Sequence, residues 1–305
     1  MANVIALAQK YQTVLDEVYK VSAKTMMLEA PDTFVRDAMQ ANQVRIPKVA
    51  LEGLGDYSKT TGSVLGDVTF SYETHTFTQD RGRRFLVDQI DDLEALNTPF
   101  ASVVSQFVRT QVVPEVDAYR IATLADGASA ANTVEGTLTN ATALQAIDTG
   151  IAAMADNEVN PEDLVIFVTP TMMSFLKQSS LIERQFMTNT PAGRMINRNV
   201  EMLDGKPVIM VPQSRMYTAI TQYDGTTSGQ EAGGYIKNAT TGRDINFMLV
   251  DAMNMLAVTK TARPKIFDPE TNQGAWGWLF DYRLYHDIFI PDNKVNGIYV
   301  HHKTT

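Results

Sequence analysis

The chain has 305 residues, enough to bury one large core or to divide into two or three smaller lobes. Its 44% hydrophobic and 20% charged residues are ordinary for a folded protein, and the absence of cysteine excludes disulfides, thiolate metal sites and cysteine nucleophiles. The formal net charge of −9 argues against a protein that binds nucleic acid by neutralising its phosphates.

The first residues predict an amphipathic helical arm over 4–24, followed after Pro31 by a shorter helix over 33–40. This arm has too little apolar area to form a core, so we expect it to lie on the rest of the chain or on a neighbour. No stretch approaches the roughly 20 apolar residues of a membrane span, and the arm lacks the pattern of a signal peptide. We therefore expect a cytoplasmic product that does not enter a membrane.

A long β excursion is predicted next, with strands over 44–51, 64–77 and 84–87 and a tip rich in Gly, Ser and Thr over 53–66. A two-stranded hairpin is marginally stable alone, so this excursion is expected to rest on a partner surface. Arg45, Tyr57 and Lys59 are candidates for contacts with a neighbour. Equally, their polarity could serve only to keep a β ribbon soluble, and the sequence leaves both interpretations open.

Opposite charges follow one another between the excursion and the next helix. The basic group is Arg81, Arg83 and Arg84, and the acidic group includes Asp88, Asp91 and Asp92. The carboxylates could suggest a metal site, but their position before a long helix favours a structural role at its positive end. We expect ion pairs within or between subunits, and we list all six as interface candidates.

A helix of nearly thirty residues is predicted from Asn97 to about Ala125, with Pro114 in its middle. Because proline removes one intrahelical hydrogen bond while the apolar stripe resumes beyond it, Pro114 should kink the helix without ending it.

The remaining chain alternates helices and strands and then becomes rich in β structure. Predicted helices cover 143–154 and 171–178; predicted strands cover 164–170, 207–211, 245–250, 255–261, 278–289 and 297–301. Asp204-Gly205 predicts a turn, and 225–234 predicts an exposed glycine-rich loop. The aromatic residues of 276–289 alternate along a strand, which favours core packing over base stacking.

Templates for catalysis and for cofactor binding are absent. The chain has no nucleophile elbow, no phosphate-binding loop and no dinucleotide fingerprint, and its four histidines lack a metal-ligand spacing. We therefore predict no enzyme, no cofactor and no metal.

The order of these parts resembles the major capsid proteins of tailed bacteriophages. The segments that carry the resemblance are DRGRRFLVDQIDDLEA, FVRTQVVPEVDAYRIATLA, LDGKPVIMVP, INFMLVDAMNMLAVTKTARPKIFDP and FDYRLYHDIFIPDNKVNGIYVH. Each is loose by itself, but their succession covers nearly the whole chain. The resemblance implies an α+β, Hong Kong 97-like capsid fold with an N-terminal arm, an extended β loop, a peripheral domain with a long spine helix, and an axial α/β domain.

Mapped onto this chain, the resemblance implies an arm over 1–43, an extended loop over 44–86, a peripheral domain over 87–138, an axial domain over 139–252 and peripheral return strands over 253–305. It implies a subunit that assembles with itself, as pentamers and hexamers, into the icosahedral head of a virion inside the host bacterial cytoplasm. Expected partners are a separate scaffolding protein, a portal, a possible decoration protein and packaged double-stranded DNA held without sequence-specific contacts. The acidity of the chain suits a wall to which DNA should not adhere.

The nearest alternative is an encapsulin-type compartment, which shares the fold and packages proteins. A cytosolic α/β enzyme would predict a compact small oligomer with a conspicuous pocket. A phage tail or adhesion module would predict repeats or a trimeric β architecture.

Overall fold

A computed structural model of the protein describes residues 23–30, 43–88, 106–179, 186–187, 195–196 and 200–304. Its α-helices are α1 (Val113–Asp126), α2 (Ala143–Asp156) and α3 (Pro170–Gln178), and a π-helical segment (Val108–Val112) leads directly into α1. The strands are β1 (Gln43–Leu51), β2 (Val68–Thr76), β3 (Gln79–Asp88), β4 (Thr133–Glu135), β5 (Leu164–Val168), β6 (Phe186–Met187), β7 (Met195–Ile196), β8 (Met202–Leu203), β9 (Lys206–Met210), β10 (Ile220–Gln222), β11 (Tyr235–Lys237), β12 (Ile245–Asp251), β13 (Leu256–Phe267), β14 (Gly277–Phe289) and β15 (Ile298–His302).

A six-stranded mixed sheet, in the order β4-β15-β12-β5-β9-β8, is covered on both faces. Alternate residues of β5 divide between the faces: Ile166 packs with α2 and α3, whereas Phe167 packs with α1. Burial on both sides explains why β5 is continuously apolar, as the sequence predicts for a central strand.

The helical rod formed by the π segment and α1 joins this sheet to a second one. Its first part, through Val108, Val112 and Val116, packs on the three-stranded antiparallel sheet β13-β14-β3. Its later part, through Ile121 and Leu124, packs on the six-stranded sheet. The rod is therefore the common support of both sheets, and side chains leaving it can reach either of them.

A short strap, residues 23–30, is fastened across this rod. The buried Asp117 carboxylate accepts hydrogen bonds from the Thr25 hydroxyl (2.8 Å), from the Thr25 and Lys24 backbone N–H groups (3.2 and 3.1 Å) and from Arg215 Nη1 (2.9 Å). The fully buried Arg120 donates to the Thr25 hydroxyl (3.1 Å). At the far end of the strap, Ala30 N–H donates to the Ala257 carbonyl at 2.9 Å.

The element predictions within the described ranges are largely confirmed. The β1–β2 pair, both helices after α1 and the long final strands occur where the sequence predicts them. Asp204 and Gly205 form the β8–β9 turn with φ values of 49° and 78°, the left-handed values that a two-residue hairpin turn requires. One prediction was wrong: Trp276 is 83% exposed, because it lies just before β14 begins at Gly277.

Several predictions fall outside the described residues. These are residues 4–22 of the first arm helix, the second arm helix over 33–40, and residues 97–105 of the long helix. The six-stranded sheet crosses both predicted boundaries of the axial domain. Its strand β4 lies before the boundary at 138/139, and its strand β15 lies after the boundary at 252/253. The division of the chain into domains stays a prediction.

Replacing Asp117 with alanine should lower the free energy of unfolding by about 3–5 kcal/mol, because Arg215 and the strap would lose the carboxylate that satisfies them inside the protein. Chemical denaturation of the unassembled subunit measures this change. Asp126→Ala, at the exposed end of the same helix, is the matched control and should change stability by no more than about 0.5 kcal/mol. Equal effects of the two substitutions would contradict the importance of the node.

Candidate subunit interface

The β1–β2 ribbon has two chemically different faces. The strands pair antiparallel, with Val49 opposite Phe70 and Ala50 opposite Thr69. Directly opposed residues share a face of the ribbon, and faces alternate along each strand. One face therefore carries six apolar side chains in three opposed pairs: Pro47 with Tyr72, Val49 with Phe70, and Leu51 with Val68.

All six side chains of this apolar face are exposed in the single chain; Leu51, for example, is 72% exposed and Phe70 is 57% exposed. Phe70 and Tyr72 contact one another edge to face at 5.1 Å between ring centroids. Scattered exposed apolar residues are normal in a monomer, but a contiguous apolar face typically marks an interaction surface. The apolar face of the ribbon is thus a strong candidate for contact with another molecule.

The opposite face holds the base of the ribbon against the body. Val44 is buried with Phe77, Leu256 and Phe289, and Ile46 packs against the same cluster. Further along, Lys48 Nζ lies 3.4 Å from an Asp292 carboxylate oxygen. Among the residues that the structure describes, the ribbon is therefore attached through one face, and the face left open is the apolar one.

A second buried carboxylate fixes the point where the chain leaves the ribbon. Asp287 Oδ2 accepts hydrogen bonds from the backbone N–H of Thr78 (2.7 Å) and from its hydroxyl (2.9 Å), and Oδ1 accepts from the Tyr119 hydroxyl (2.8 Å). Asp287 is 3% exposed. Burial is the main cause that raises the pKa of Tyr119, and the Asp287 charge adds to it, so the phenol stays protonated as a donor. We call Asp287, Thr78 and Tyr119 the ribbon node.

The candidates at the ribbon are all at its surface. Tyr57 and Lys59 lie in the tip, where Ser58 and Gly62 exchange backbone hydrogen bonds and Gly62 has a φ of 80°. Arg45 is exposed on the same face as the apolar pairs, opposite Thr74. Their exposure leaves them available to a neighbour, and their role in an interface stays a prediction.

The basic candidates have partners within the chain. Arg81 Nε lies 2.6 Å from Glu115 of α1, and Arg84 Nη2 lies 3.1 Å from Asp281. Arg83 Nη2 donates to the Glu231 carbonyl at 2.9 Å, which ties β3 to the loop between β10 and β11.

The pairing predicted for the acidic candidates stays a prediction. Asp88 ends β3 opposite Gly277, and Asp91 and Asp92 lie outside the described residues. Arg81 and Arg84 lie beside Glu115 and Asp281, which are distant from them in sequence and do not belong to this acidic group. An intersubunit role of the six residues stays a prediction.

Pro114 is the second residue of α1, which begins at Val113 directly after the π-helical segment. A π-helical turn uses wider hydrogen bonding than an α-helix, so it accommodates a position that cannot donate. The helix continues through this position, as the sequence predicts. A functional bend at Pro114 remains a prediction.

Sequence reasoning missed the two buried carboxylates that fasten the strap and the ribbon, and it missed their partners. Asp117 and Asp287 are separated from their hydrogen-bonding threonines by 92 and 209 residues. The one local signal is an acidic residue inside an otherwise apolar stripe, and this signal does not identify the partner.

Among the described residues, no group of three or more His, Asp or Glu side chains is placed to hold a metal ion. The helices within these ranges also include none that is long and apolar enough to cross a membrane.

Known structures share this fold, although no protein-family model matches the sequence and no curated protein is similar to it. A chain from the asymmetric unit of the bacteriophage PhiM1 mature capsid superposes with a TM-score of 0.60 at 14% identity, over 87% of this chain and 83% of that one. The capsid structure of cyanophage P-SCSP1u gives 0.51 at 11% identity, over 87% and 84%. A virus-like particle from Pyrococcus furiosus gives 0.52 at 10% identity, over 96% and 98%.

The protein therefore has the α+β fold of phage capsid chains, and this part of the fold prediction is confirmed. The fold extends over most of this chain and of each chain compared. The narrower Hong Kong 97-like assignment stays a prediction.

His286 should make the subunit sensitive to acid. Burial, together with the positive charges of Arg120 and Arg81, lowers its pKa from 6.5 to about 3. The unfolded chain therefore binds a proton that the folded chain does not, and between pH 6.5 and 3 this residue should remove up to about 1.4 kcal/mol of stability per pH unit.

His286→Phe keeps an aromatic ring against Tyr119 and removes the group that takes up the proton. The free energy of unfolding should therefore depend less steeply on pH in the variant between pH 6.5 and 3, by up to the slope that one proton gives. The same pH dependence of the unfolding free energy in both proteins would contradict a lowered pKa of His286. Above about pH 7 the histidine is neutral in both states and contributes no slope.

Proposed function

We propose that this protein is the structural subunit of an icosahedral shell, the head of a tailed double-stranded DNA phage. The observation that carries the proposal is the apolar face of the ribbon, which is exposed in a chain whose fold matches those of phage capsid structures. A second copy of the chain supplies cover for this face. The function is structural and needs no catalytic group.

The contact between a ribbon and a neighbouring subunit is repeated throughout the proposed shell. Each ribbon occupies a site on a neighbour that is different from the ribbon itself, so the contact is heterologous and closes into rings when the rotation fits. Individually modest contacts let misplaced subunits dissociate, and many simultaneous contacts make the completed shell durable. Five- and six-fold rings of this kind are the pentamers and hexamers of the proposed shell.

The proposed partners follow from the same function. We propose that the shell encloses double-stranded DNA without sequence-specific contacts, and the net charge of −9 supports a wall that does not adhere to it. A separate scaffolding protein, a portal and a possible decoration protein complete the proposed set, with assembly in the host bacterial cytoplasm and the virion capsid as the final location.

One observation favours a second candidate, the shell of a protein compartment. The superposition covers 98% of the chain of the Pyrococcus furiosus virus-like particle, against 83% and 84% of the PhiM1 and P-SCSP1u capsid chains. The contents of shells purified from the native source separate the candidates: a phage head holds DNA and a compartment holds protein. Electron cryomicroscopy and nuclease treatment identify which is present.

Phe70→Asp should prevent or strongly reduce assembly while leaving the subunit folded, because it places a charge in a contact that excludes water. Thr69→Asp is the matched control: it adds the same charge to the adjacent exposed position on the opposite face. Sedimentation velocity of the purified proteins, wild type included, measures the fraction in particles, and circular dichroism confirms folding.

We expect at least a tenfold smaller particle fraction for Phe70→Asp than for Thr69→Asp, the change that about 1.4 kcal/mol produces in one contact equilibrium. Equal assembly of both variants would refute the role of the apolar face. A wild-type protein that stays monomeric at high concentration, with or without a scaffolding protein, would refute the proposed function.

A further inference from the structure

The ribbon node has a geometry that goes beyond stabilising one subunit. Its three residues come from three different elements: Thr78 from the junction of β2 and β3, Tyr119 from α1 and Asp287 from β14. Thr78 lies two positions after Thr76, the last residue of β2. The node therefore joins the exit of the ribbon to the helix that supports both sheets.

The other attachments of the ribbon base are less directional. Val44, Phe77 and Phe289 form an apolar cluster, and apolar contact holds surfaces together without fixing their angle. At the exposed end of this attachment, Lys48 and Asp292 form an ion pair, and the Glu73 carboxylate accepts a hydrogen bond from the Asp292 backbone N–H at 3.2 Å. Exposed contacts of this kind compete with water and contribute little. The ribbon node instead combines three short hydrogen bonds to one buried carboxylate, and such bonds are strong and directional.

The acceptor capacity of Asp287 is taken up by defined donors. One oxygen serves both groups of Thr78, and the other serves Tyr119 and the backbone N–H of Ile288 (2.8 Å). A rotation of the ribbon about its base would pull Thr78 away from the carboxylate. A buried carboxylate that loses donors is costly, so the node opposes that rotation.

We propose that Asp287 is a positioning residue: through Thr78 and Tyr119 it sets the angle at which the β1–β2 ribbon leaves the body, and this angle sets the curvature between neighbouring subunits. The inference rests on the proposed function, because curvature has a meaning only in a shell. It adds that shell size depends on this node and not on subunit stability in general.

The double variant Thr78→Val/Tyr119→Phe tests the node without leaving a charge unpaired or removing much volume. It deletes two hydroxyl donors and keeps the backbone N–H bonds of residues 78 and 288 to Asp287. The matched control is Thr25→Val, which deletes a hydroxyl that donates to another buried carboxylate, Asp117, and accepts from Arg120, away from the ribbon. Both variants should lower the melting temperature of the subunit.

The readout specific to positioning is the distribution of particle diameters by electron cryomicroscopy. For the double variant we expect the ratio of off-size to wild-type-size particles to rise by about fivefold or more, the change that the loss of two hydrogen bonds gives in an equilibrium. Thr25→Val should leave the distribution unchanged. Unchanged diameters for the double variant, or equal broadening for both variants, would overturn the proposal.

A measurement on the isolated subunit keeps the inference separate from the proposed function. The chain has no cysteine, so Lys59→Cys at the ribbon tip and Asp156→Cys at the exposed end of α2 accept two spin labels at known positions. The distance distribution between the labels should broaden or shift on Thr78→Val/Tyr119→Phe and stay the same on Thr25→Val. A distribution unaffected by the double variant would overturn the positioning role even if wild-type shells form, and a shifted one would support it even if they do not.

Discussion

The structure depends on an apolar surface that stays exposed on the described part of the chain. Three opposed pairs, from Pro47 and Tyr72 to Leu51 and Val68, give one face of the ribbon an apolar character that water disfavours. A two-stranded ribbon has no second layer with which to shield that face. Because the opposite face is already held to the body by Val44 and Ile46, the ribbon presents its apolar face away from the described body, where a second copy of the chain can cover it.

The ribbon is anchored to the helical rod that packs on both sheets of the body. The rod of the π segment and α1 lies against both sheets, and two buried carboxylates, Asp117 and Asp287, connect it to the strap and to the ribbon exit. Replacing buried polar groups by apolar ones often leaves stability unchanged. Their presence here is therefore better explained by geometry: hydrogen bonds specify direction where apolar contacts do not.

Local patterns made the architecture predictable. Alternation along β2 and the glycine-rich tip define the ribbon, and the continuous apolar run of β5 identifies a strand covered on both faces. Long-range contacts were not predictable in the same way. Arg81 stands seven residues before Asp88 in the sequence, yet its partner is Glu115, because β3 lies beside the rod and brings the two side chains together.

The same limit applies to the interface candidates. Exposure of Arg45, Tyr57 and Lys59 agrees with either a contact or simple solubility, since a single chain does not distinguish them. The face that does carry a specific signal, the six apolar residues, became recognisable only when the register of β1 and β2 placed them together. Pairing register is a property of two segments, and one segment read alone does not contain it.

Solvent access to the apolar face, before and after assembly, tests the central claim most directly. In this cysteine-free chain, Val49→Cys introduces a single thiol on that face, and its rate of reaction with a maleimide can be measured in dissociated subunits and in particles. Burial against a second copy predicts that the rate falls at least tenfold on assembly. An unchanged rate in fully assembled particles would show that neighbours leave this face open, and would contradict the account.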